Sequence, residues 1–446
     1  MLTRNLVFSL TAFALAATAE THSLTLQQTL ELAARQNPDV TIARLDQQHA
    51  EAEIRVAQDP FRPKVTLGSG AAYTYGYPNT IEGSAPAIFQ LNTQESLFNR
   101  PKSLQVAATR ELARGAAYGS QVKMDEVAYQ AADLFLAASE TEHQGETLAN
   151  QIPSLQKVIE TVSASVNEGV ELPLELKRAR VNLASSQEQL SSAQLDGDYY
   201  EMLLAVVVGY PATDRVKPLS ADLPAALVPA SESDAIDLAL RNNRQLKQMQ
   251  SNILAKELDL RSYKAARLPQ VDLVAQYSLF AKYTYEQYFP SKNFQRNNAQ
   301  LGAAISIPLL IGSGRQGYLQ QAATDMLKLR IQTDQVRNRI LSDTRRSYQQ
   351  WRKAENIRDL ARMKLDLARE DVSVKLAQNS EGRTALRELE QARIEESNLW
   401  LQLYDSEAQV TRTKLGILRQ MGTLMAAVQT GPQTGPRGAP LSVERP

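Results

Sequence analysis

The spacing of apolar residues changes from a helical period to a strand period, and the same change occurs in both halves of the chain. Leu26, Leu30 and Ala33 recur at helical spacing and predict an opening helix over residues 24–59. The same kind of spacing predicts a second opening helix over residues 232–267. Each predicted helix stops shortly before a proline, which lacks the backbone N–H that a helix interior needs.

After each opening helix, apolar and polar residues alternate one by one, which predicts strands with two different faces. Val65 and Leu67 follow this pattern in the first half, and Val271 and Leu273 follow it in the second. Each strand is long enough to cross a bilayer at a tilt, which requires about 9–11 residues. A soluble hairpin with one solvated face is the alternative interpretation. A second strand is predicted to return in each half. The four predicted strands span residues 65–77, 88–98, 271–285 and 300–310.

Tyrosines gather at the far end of the first strand in each half. Membrane-spanning strands carry girdles of aromatic residues where they meet the lipid–water interface. Because these tyrosines also alternate with other residues, they share one face of each strand. The pattern therefore predicts a membrane aromatic girdle made of Tyr73, Tyr75, Tyr77, Tyr283 and Tyr285.

The rest of each half is helical over lengths that do not fit a globular domain. Long helices are predicted over residues 102–168 and 318–378, and about sixty residues of helix extend roughly 90 Å. Each helix meets a glycine-containing break, at Gly169 or at Gly382, and a second predicted helix then returns. Helices of this length form coiled coils or helical repeats, so each half is predicted to contain a long antiparallel helical hairpin.

The two halves are copies of one architecture. Residues 29–37 read TLELAARQN, and residues 235–243 read AIDLALRNN. A Glu-Gly pair that ends at Gly169 is followed by Glu-Leu six residues after the glycine, and the same motif recurs at Gly382. The offset between the copies stays near about 200 residues throughout, which indicates a duplicated fold. The predicted structural repeats are residues 20–225 and 231–426.

Both ends of the chain differ in composition from the repeats. Arg4, an apolar run over residues 6–17 and an A-x-A site ending at Ala19 follow one another in the order of a secretory signal peptide, which predicts export. Residues 1–19 are therefore predicted to be cleaved, and a buried N-terminal helix is the alternative. Residues 429–446 are rich in glycine and proline and are predicted to be a disordered tail.

The composition argues against several classes of chemistry. The chain has no cysteine, so it has neither disulfides nor thiolate metal sites. Its formal net charge is zero, which gives no electrostatic basis for binding nucleic acid. The three histidines lie far apart without the spacing of metal ligands. A GxGxxG motif at residues 312–317 lacks the second strand that a dinucleotide-binding unit needs. Neither an enzyme activity nor a cofactor is predicted.

Four strands from one chain cannot close a barrel. Small barrels need about eight strands, and an open sheet in lipid would leave backbone groups unpaired, each at a cost of several kcal/mol. The edge strands are therefore predicted to pair with strands of other copies in a closed symmetric assembly. Strand number alone leaves two copies and three copies open.

The duplicated halves, the order of helix, two strands and long helices, and the paired motifs at Gly169 and Gly382 resemble the TolC family of outer-membrane efflux proteins. The resemblance spans residues 24–425 and implies a mainly α fold with β: a homotrimer with a twelve-stranded β-barrel in outer-membrane lipid and a periplasmic α-barrel. It also implies a passive exit duct of a tripartite efflux or type I secretion system, with a periplasmic adaptor and an inner-membrane pump as partners. An exported coiled-coil structural protein of the cell envelope is the alternative.

The resemblance also implies where such a duct closes. The turns at Gly169 and Gly382 correspond to the periplasmic tip, and Glu388 stands where an acidic gate residue is expected. Gln391, one turn further on, is neutral where relatives can carry a second acid. The alternative is that the glutamates near these turns are solvated charges favoured by the helix dipole. The candidate gate residues are Glu388, Gln391, Thr384 and Glu175.

Overall fold

The computed structural model describes residues 20–70, 87–219, 228–280, 297–309 and 314–429. The predicted fold class is confirmed, because long helical hairpins and two strands of a common sheet occur in each half. The first half contains β1 (Thr21–Leu24), α1 (Leu26–Gln36), α2 (Pro38–Gln58), β2 (Lys64–Gly70), β3 (Ala87–Phe98), α3 (Arg100–Asn167), α4 (Pro173–Val208) and β4 (Arg215–Pro218).

The second half repeats the order of the helices and of the paired strands. Among the described residues, no helix is both long enough and apolar enough to span a membrane. The elements of the second half are α5 (Glu232–Asn242), α6 (Arg244–Ala265), β5 (Gln270–Phe280), β6 (Asn297–Ser306), α7 (Gly314–Ser380), α8 (Leu386–Gln420) and α9 (Leu424–Gln429).

Each opening helix, predicted as one continuous segment, is divided by an asparagine. Asn37 separates α1 from α2 with an extended backbone (ψ 132°), and Asn243 separates α5 from α6 in the same way (ψ 122°). Pro38 follows Asn37, and a residue before proline is disfavoured in the helical conformation. The side-chain amide of Asn37 donates to the carbonyl of Val207 at 2.8 Å, which fixes the break against the end of α4.

The four long strands form one antiparallel sheet in the order β2-β3-β5-β6. The register aligns Leu67 with Leu91, Leu91 with Tyr277, and Tyr277 with Ala299, so alternate residues share a face across all four strands. Val65 on that face is exposed, as is Leu67. The strands β2 and β6 form the two edges of this sheet. The tyrosines of the predicted girdle lie outside the described residues.

The chain divides into two compact units, and each unit contains segments from both halves of the sequence. One unit comprises Met1–Thr41, Lys123–Asn243 and Ile340–Pro446, and the other comprises Ile42–Val122 and Arg244–Arg339. The second unit holds the sheet, whereas the first holds the helical turns at Gly169 and Gly382. Residues that are distant in the sequence therefore meet within each unit.

In the first unit, the long helices contact one another in the order α4, α3, α8 and α7. The contact between α3 and α4 includes Val158 and Ala179. On α8, Arg412 pairs with Asp133 of α3, its Nε lying 2.5 Å from the carboxylate oxygen. The contact between α7 and α8 consists of Ala361, Leu365, Leu399 and Leu403. Among these contacts of the described residues, α4 and α7 each touch one other long helix and therefore lie at the edges of the four-helix layer.

A parallel pair of short strands, β1 and β4, also belongs to this unit and was not predicted. Each strand has four residues, which is too short for alternation to be distinguished from a loop. Backbone N–H groups of Arg215 and Leu219 donate to Glu20 and Leu24 at 3.0 and 2.9 Å. The pair therefore attaches the start of the described chain to the segment that follows α4.

Candidate functional site

The two turns that end α3 and α7 have the same backbone geometry. Gly169 has φ 74° and Gly382 has φ 70°, in the left-handed region that favours glycine. The N–H of Val170 donates to the carbonyl of Ser165 at 2.9 Å, and that of Arg383 donates to Gln378 at 2.8 Å. Both are six-to-one hydrogen bonds of the Schellman type, which satisfy carbonyls at the end of a helix. The repeated Glu-Gly motif therefore encodes a repeated turn.

Side chains reinforce the second turn in a way that is specific to it. The amide of Asn379 donates to the carbonyl of Thr384 at 2.8 Å, and the Thr384 hydroxyl lies 2.9 Å from Oε1 of Gln378. The hydroxyl of Thr384, one of the predicted gate residues, is thus held inside the turn. The first turn instead enters α4 through Pro173 at the first helical position, where the missing N–H costs nothing.

An ion pair joins the two turns to each other. Nη1 of Arg387, in the first turn of α8, lies 2.8 Å from Oε1 of Glu171, in the turn before α4. The other carboxylate oxygen of Glu171 is buried, with no hydrogen-bond partner among the described residues. Neither residue was predicted to have a role. Their positions are where the repeats differ in charge: Glu171 corresponds to Thr384, and Arg387 corresponds to Leu174.

The predicted gate glutamates have different surroundings. Glu175 pairs with Arg178 on the same helix at 2.8 Å, so its charge is locally balanced. Glu388 is exposed, and its carboxylate has no hydrogen-bond or ion-pair partner among the described residues. Gln391 is also exposed and lies three residues further along α8, hence on the same side of that helix. The structure therefore brings Glu388 and Gln391 together on one exposed surface and leaves Glu175 engaged elsewhere.

A third acid near the tip, Glu390, is buried. It is 1% exposed and pairs with Arg393, whose Nη1 lies 2.9 Å from its Oε1. Leu389 beside it is buried as well, so this side of α8 packs inward. The acidic residues at the start of α8 therefore separate into one carboxylate that is open to solvent and one buried ion pair.

Comparison with known proteins decides the family. Residues 29–207 and 235–423 both match the family model described as outer membrane efflux protein, one match in each half. The chain belongs to the outer membrane efflux protein family. It is 23% identical over 346 residues to the outer membrane protein TolC of Escherichia coli K12, a match that covers 72% of this chain and 67% of TolC.

Solved outer-membrane proteins share the fold of this efflux-family chain. The CmeC outer membrane channel of Campylobacter jejuni superposes with a TM-score of 0.71 at 13% identity, over 90% of this chain and 86% of CmeC. The outer membrane protein VceC of Vibrio cholerae superposes with a TM-score of 0.69 at 16% identity, over 89% of this chain and 96% of VceC. The predicted resemblance to the TolC family is confirmed, and it favours a channel over an exported structural coiled coil.

The GxGxxG motif of this efflux-family chain belongs to the start of a long helix. From Gly314 onwards the motif lies in α7, a helix of 67 residues, so the strand that a dinucleotide-binding unit requires does not follow. Arg315 within the motif donates to the carbonyls of Tyr263 and Lys264 at 3.1 and 3.3 Å. These contacts hold the start of α7 against the end of α6. Among the described residues, no group of three histidine or acidic side chains has the geometry of a metal site.

Proposed function

We propose that this chain is the outer-membrane exit duct of a tripartite efflux or type I secretion system. The duct is passive, carries no catalytic site or cofactor, and is opened by a periplasmic adaptor and an inner-membrane pump. The strands lie in outer-membrane lipid and the helical hairpins lie in the periplasm. The proposal includes cleavage of residues 1–19, a segment that lies outside the described residues, as do residues 430–446 of the predicted tail and the tyrosines of the predicted girdle.

The observation that carries the proposal is the four-stranded sheet with two edges. Among the described residues, β2 pairs only with β3, and β6 pairs only with β5. In lipid, unpaired backbone groups along these edges would cost several kcal/mol each. Apolar residues such as Leu67 and Leu301 are exposed on the sheet, as lipid contact requires. Pairing of β6 in one copy with β2 in the next removes both edges, and three copies supply the twelve strands of a barrel.

The helical layer supports the same assembly. The edge helix α4 buries Ala179 against α3, and on its opposite side Val181 and Leu195 are 66% and 68% exposed. These two residues are separated by two heptads and lie on one side of the helix, as a stripe that the exposed Glu188 interrupts at the heptad position between them. Two large apolar side chains exposed on an edge helix form a surface that a second copy can cover.

The other edge helix carries a matching stripe. Leu360, Met363, Leu367 and Val374 recur on α7 at the spacing of a heptad seam and are exposed. The stripe on α4 and the stripe on α7 are different surfaces, so their contact is heterologous and generates a closed ring when the rotation closes. Counted from the turns, Val181 lies about eight residues into α4 and Val374 about six residues before the end of α7, so the two stripes meet in register.

Gating is assigned to the tip. In a ring of three copies, Glu388 contributes one exposed carboxylate per copy, which favours passage of cations over anions. Gln391 lines the same surface without charge, and Glu175 contributes less because Arg178 balances it. The ion pair between Arg387 and Glu171 holds the second hairpin to the first, and opening of the tip by an adaptor requires this contact to separate.

Cysteine cross-linking tests the assembly, since the chain has no cysteine of its own. The double variant Val181→Cys/Val374→Cys is expected to form covalent trimers in outer membranes under mild oxidation. The matched control is Val181→Cys/Leu376→Cys, because two residues along a helix rotate the side chain by about 200°. Purified trimers should also conduct ions in planar bilayers. Monomers alone in both variants, or equal cross-linking in both, would contradict the proposed ring.

A further inference from the structure

Two carboxylates of α3 contact one guanidinium of α8, and a third carboxylate, that of Asp405, lines the same groove. Nε of Arg412 lies 2.5 Å from Oδ1 of Asp133, and its Nη2 lies 3.7 Å from Oε2 of Glu140. Asp405 lies two turns before Arg412 on α8 and accepts a long hydrogen bond from the amide of Gln144 at 3.5 Å. Asp133 and Glu140 therefore share the guanidinium of Arg412.

The cluster opens into a groove of about 430 Å³. Glu140, Asp405 and Arg412 line it together with Lys364 of α7, and these are the charged groups that share the groove with Glu140 among the described residues. Asp133, the other partner of Arg412, is not among the residues that line the groove. Only 22% of the Glu140 side chain is exposed, so water screens its charge less than it would on an open surface.

The surroundings of Glu140 favour its protonated form. Burial is the largest cause, followed by a hydrogen bond to Asp405 and the negative charge of that residue, and together they raise the pKa of Glu140 to about 7. Arg412 acts in the opposite direction without cancelling these effects. A proton on Glu140 can be donated to the Asp405 carboxylate, whereas two ionised carboxylates that line one groove repel each other.

A second contact between α3 and α8 contains no carboxyl pair. The ring of His143 stacks on Tyr404 at a centroid distance of 4.6 Å, and Tyr404 stacks on Trp400 at 5.5 Å. This aromatic contact and the pair between Arg412 and Asp133 attach α3 to α8 whatever the state of Glu140. The pair of Glu140 and Asp405 therefore strengthens or weakens a contact between α3 and α8 that other residues maintain.

We propose that Glu140 and Asp405 form a proton-dependent latch between α3 and α8, which joins the two halves of the sequence when the carboxyls share one proton and loosens when both are ionised. The latch lies within one chain and does not depend on the number of copies in the ring. In an exit duct, it makes the helical layer more mobile on the alkaline side of neutrality.

Hydrogen exchange of the full-length protein in detergent tests the latch. Protection factors, which are corrected for the chemical exchange rate at each pH, are measured for residues 129–147 and 400–415 at pH 6 and pH 8. One pH unit separates pH 6 from the pKa of Glu140, which is about 7, and one unit corresponds to a tenfold change in an equilibrium constant. The protection factors of the wild type are therefore expected to be about tenfold lower at pH 8 than at pH 6. The variants Glu140→Gln and Asp405→Asn are expected to show nearly the same protection at both pH values.

The matched control is Glu160→Gln, which removes an exposed carboxylate from the same helix. It is expected to keep the pH dependence of the wild type. Equal wild-type protection at both pH values would overturn the latch, and so would an unchanged pH dependence in both Glu140→Gln and Asp405→Asn. Because exchange is read within the chain, these results are independent of whether Val181→Cys/Val374→Cys cross-links.

Discussion

The two ends of the helical hairpins differ in how closely they are packed. At one end, Gly209 and Gly422 follow α4 and α8, and a Cβ added to either would lie within 3.1 Å of a backbone atom of the opening helices. At the other end, Gly169 and Gly382 have no atom within 4 Å of an added Cβ. All four have positive φ. The same local conformation is thus enclosed at one end and open to solvent at the other.

The two ends also differ in how the repeats have diverged. At the enclosed end both halves use the same device, an asparagine whose amide donates to the last carbonyls of the returning helix. At the open end both halves have the same backbone turn, but the charged residues are not repeated. Glu171 of the first half corresponds to Thr384 of the second, and Arg387 of the second half corresponds to Leu174 of the first. The enclosed end is therefore a fixed joint, whereas the open end is held by side chains that can separate.

The largest expected difference between the ends comes from the glycines. Gly209→Ala forces an L-residue into the left-handed region, at about 1–2 kcal/mol, and adds a clash with Gln36 that costs about 1–3 kcal/mol more. Gly169→Ala carries only the cost of the left-handed conformation, because no atom lies within 4 Å of the added Cβ. Thermal unfolding of the two variants in detergent should show the greater loss for Gly209→Ala. Equal losses would mean that the enclosed end is not better packed.

The asparagines provide the next comparison. Asn37→Ala removes a buried 2.8 Å hydrogen bond and leaves the Val207 carbonyl without that donor, at a cost of about 1–3 kcal/mol. In Asn243→Ala the lost hydrogen bond is longer, 3.3 Å, and partly exposed, so the loss is smaller. The unfolding temperature should therefore fall further in Asn37→Ala than in Asn243→Ala. A greater fall in Asn243→Ala would show that the asparagine contact of the second half is the stronger of the two.

Loss of the ion pair between the two turns should change how often the channel opens more than it changes the free energy of unfolding. Arg387→Leu places the first-half residue in the second half and removes the pair with Glu171, which is partly exposed and contributes less than about 1 kcal/mol. A change of this size alters the constant of a closed-to-open equilibrium by up to about fivefold, so single-channel recordings should show more frequent opening.

The exchanged variant Glu171→Arg/Arg387→Glu is the control, because it restores an ion pair of reversed polarity. Its opening frequency should return towards that of the wild type. If Arg387→Leu and the exchanged variant open equally often, the ion pair does not hold the turns, and the tip is closed by contacts between copies.

The sequence predicted the parts of the fold that periodicity encodes. Helices of 68 and 67 residues and their glycine-containing turns were predicted to within a few residues, because long regular patterns leave little ambiguity. The break at Asn37 was missed because the apolar spacing of α1 continues into α2. The pair between Arg387 and Glu171 was missed because it depends on how the hairpins lie beside each other, which the pattern of a single helix does not contain. Comparing the charged residues of the two repeats would have pointed to this pair, because neither charge recurs in the other half.

The smallest expected effect concerns the two glutamates at the start of the returning helices. Glu388→Gln removes an exposed carboxylate without a partner, whereas Glu175→Gln removes one that Arg178 already balances. Reversal potentials across a salt gradient should therefore show a loss of cation preference in Glu388→Gln and little change in Glu175→Gln. The recordings require low ionic strength, because at 0.1 M salt exposed charges are screened beyond about 10 Å. An unchanged reversal potential in Glu388→Gln would place the selective constriction elsewhere, and the open end would then act only as a mechanical closure.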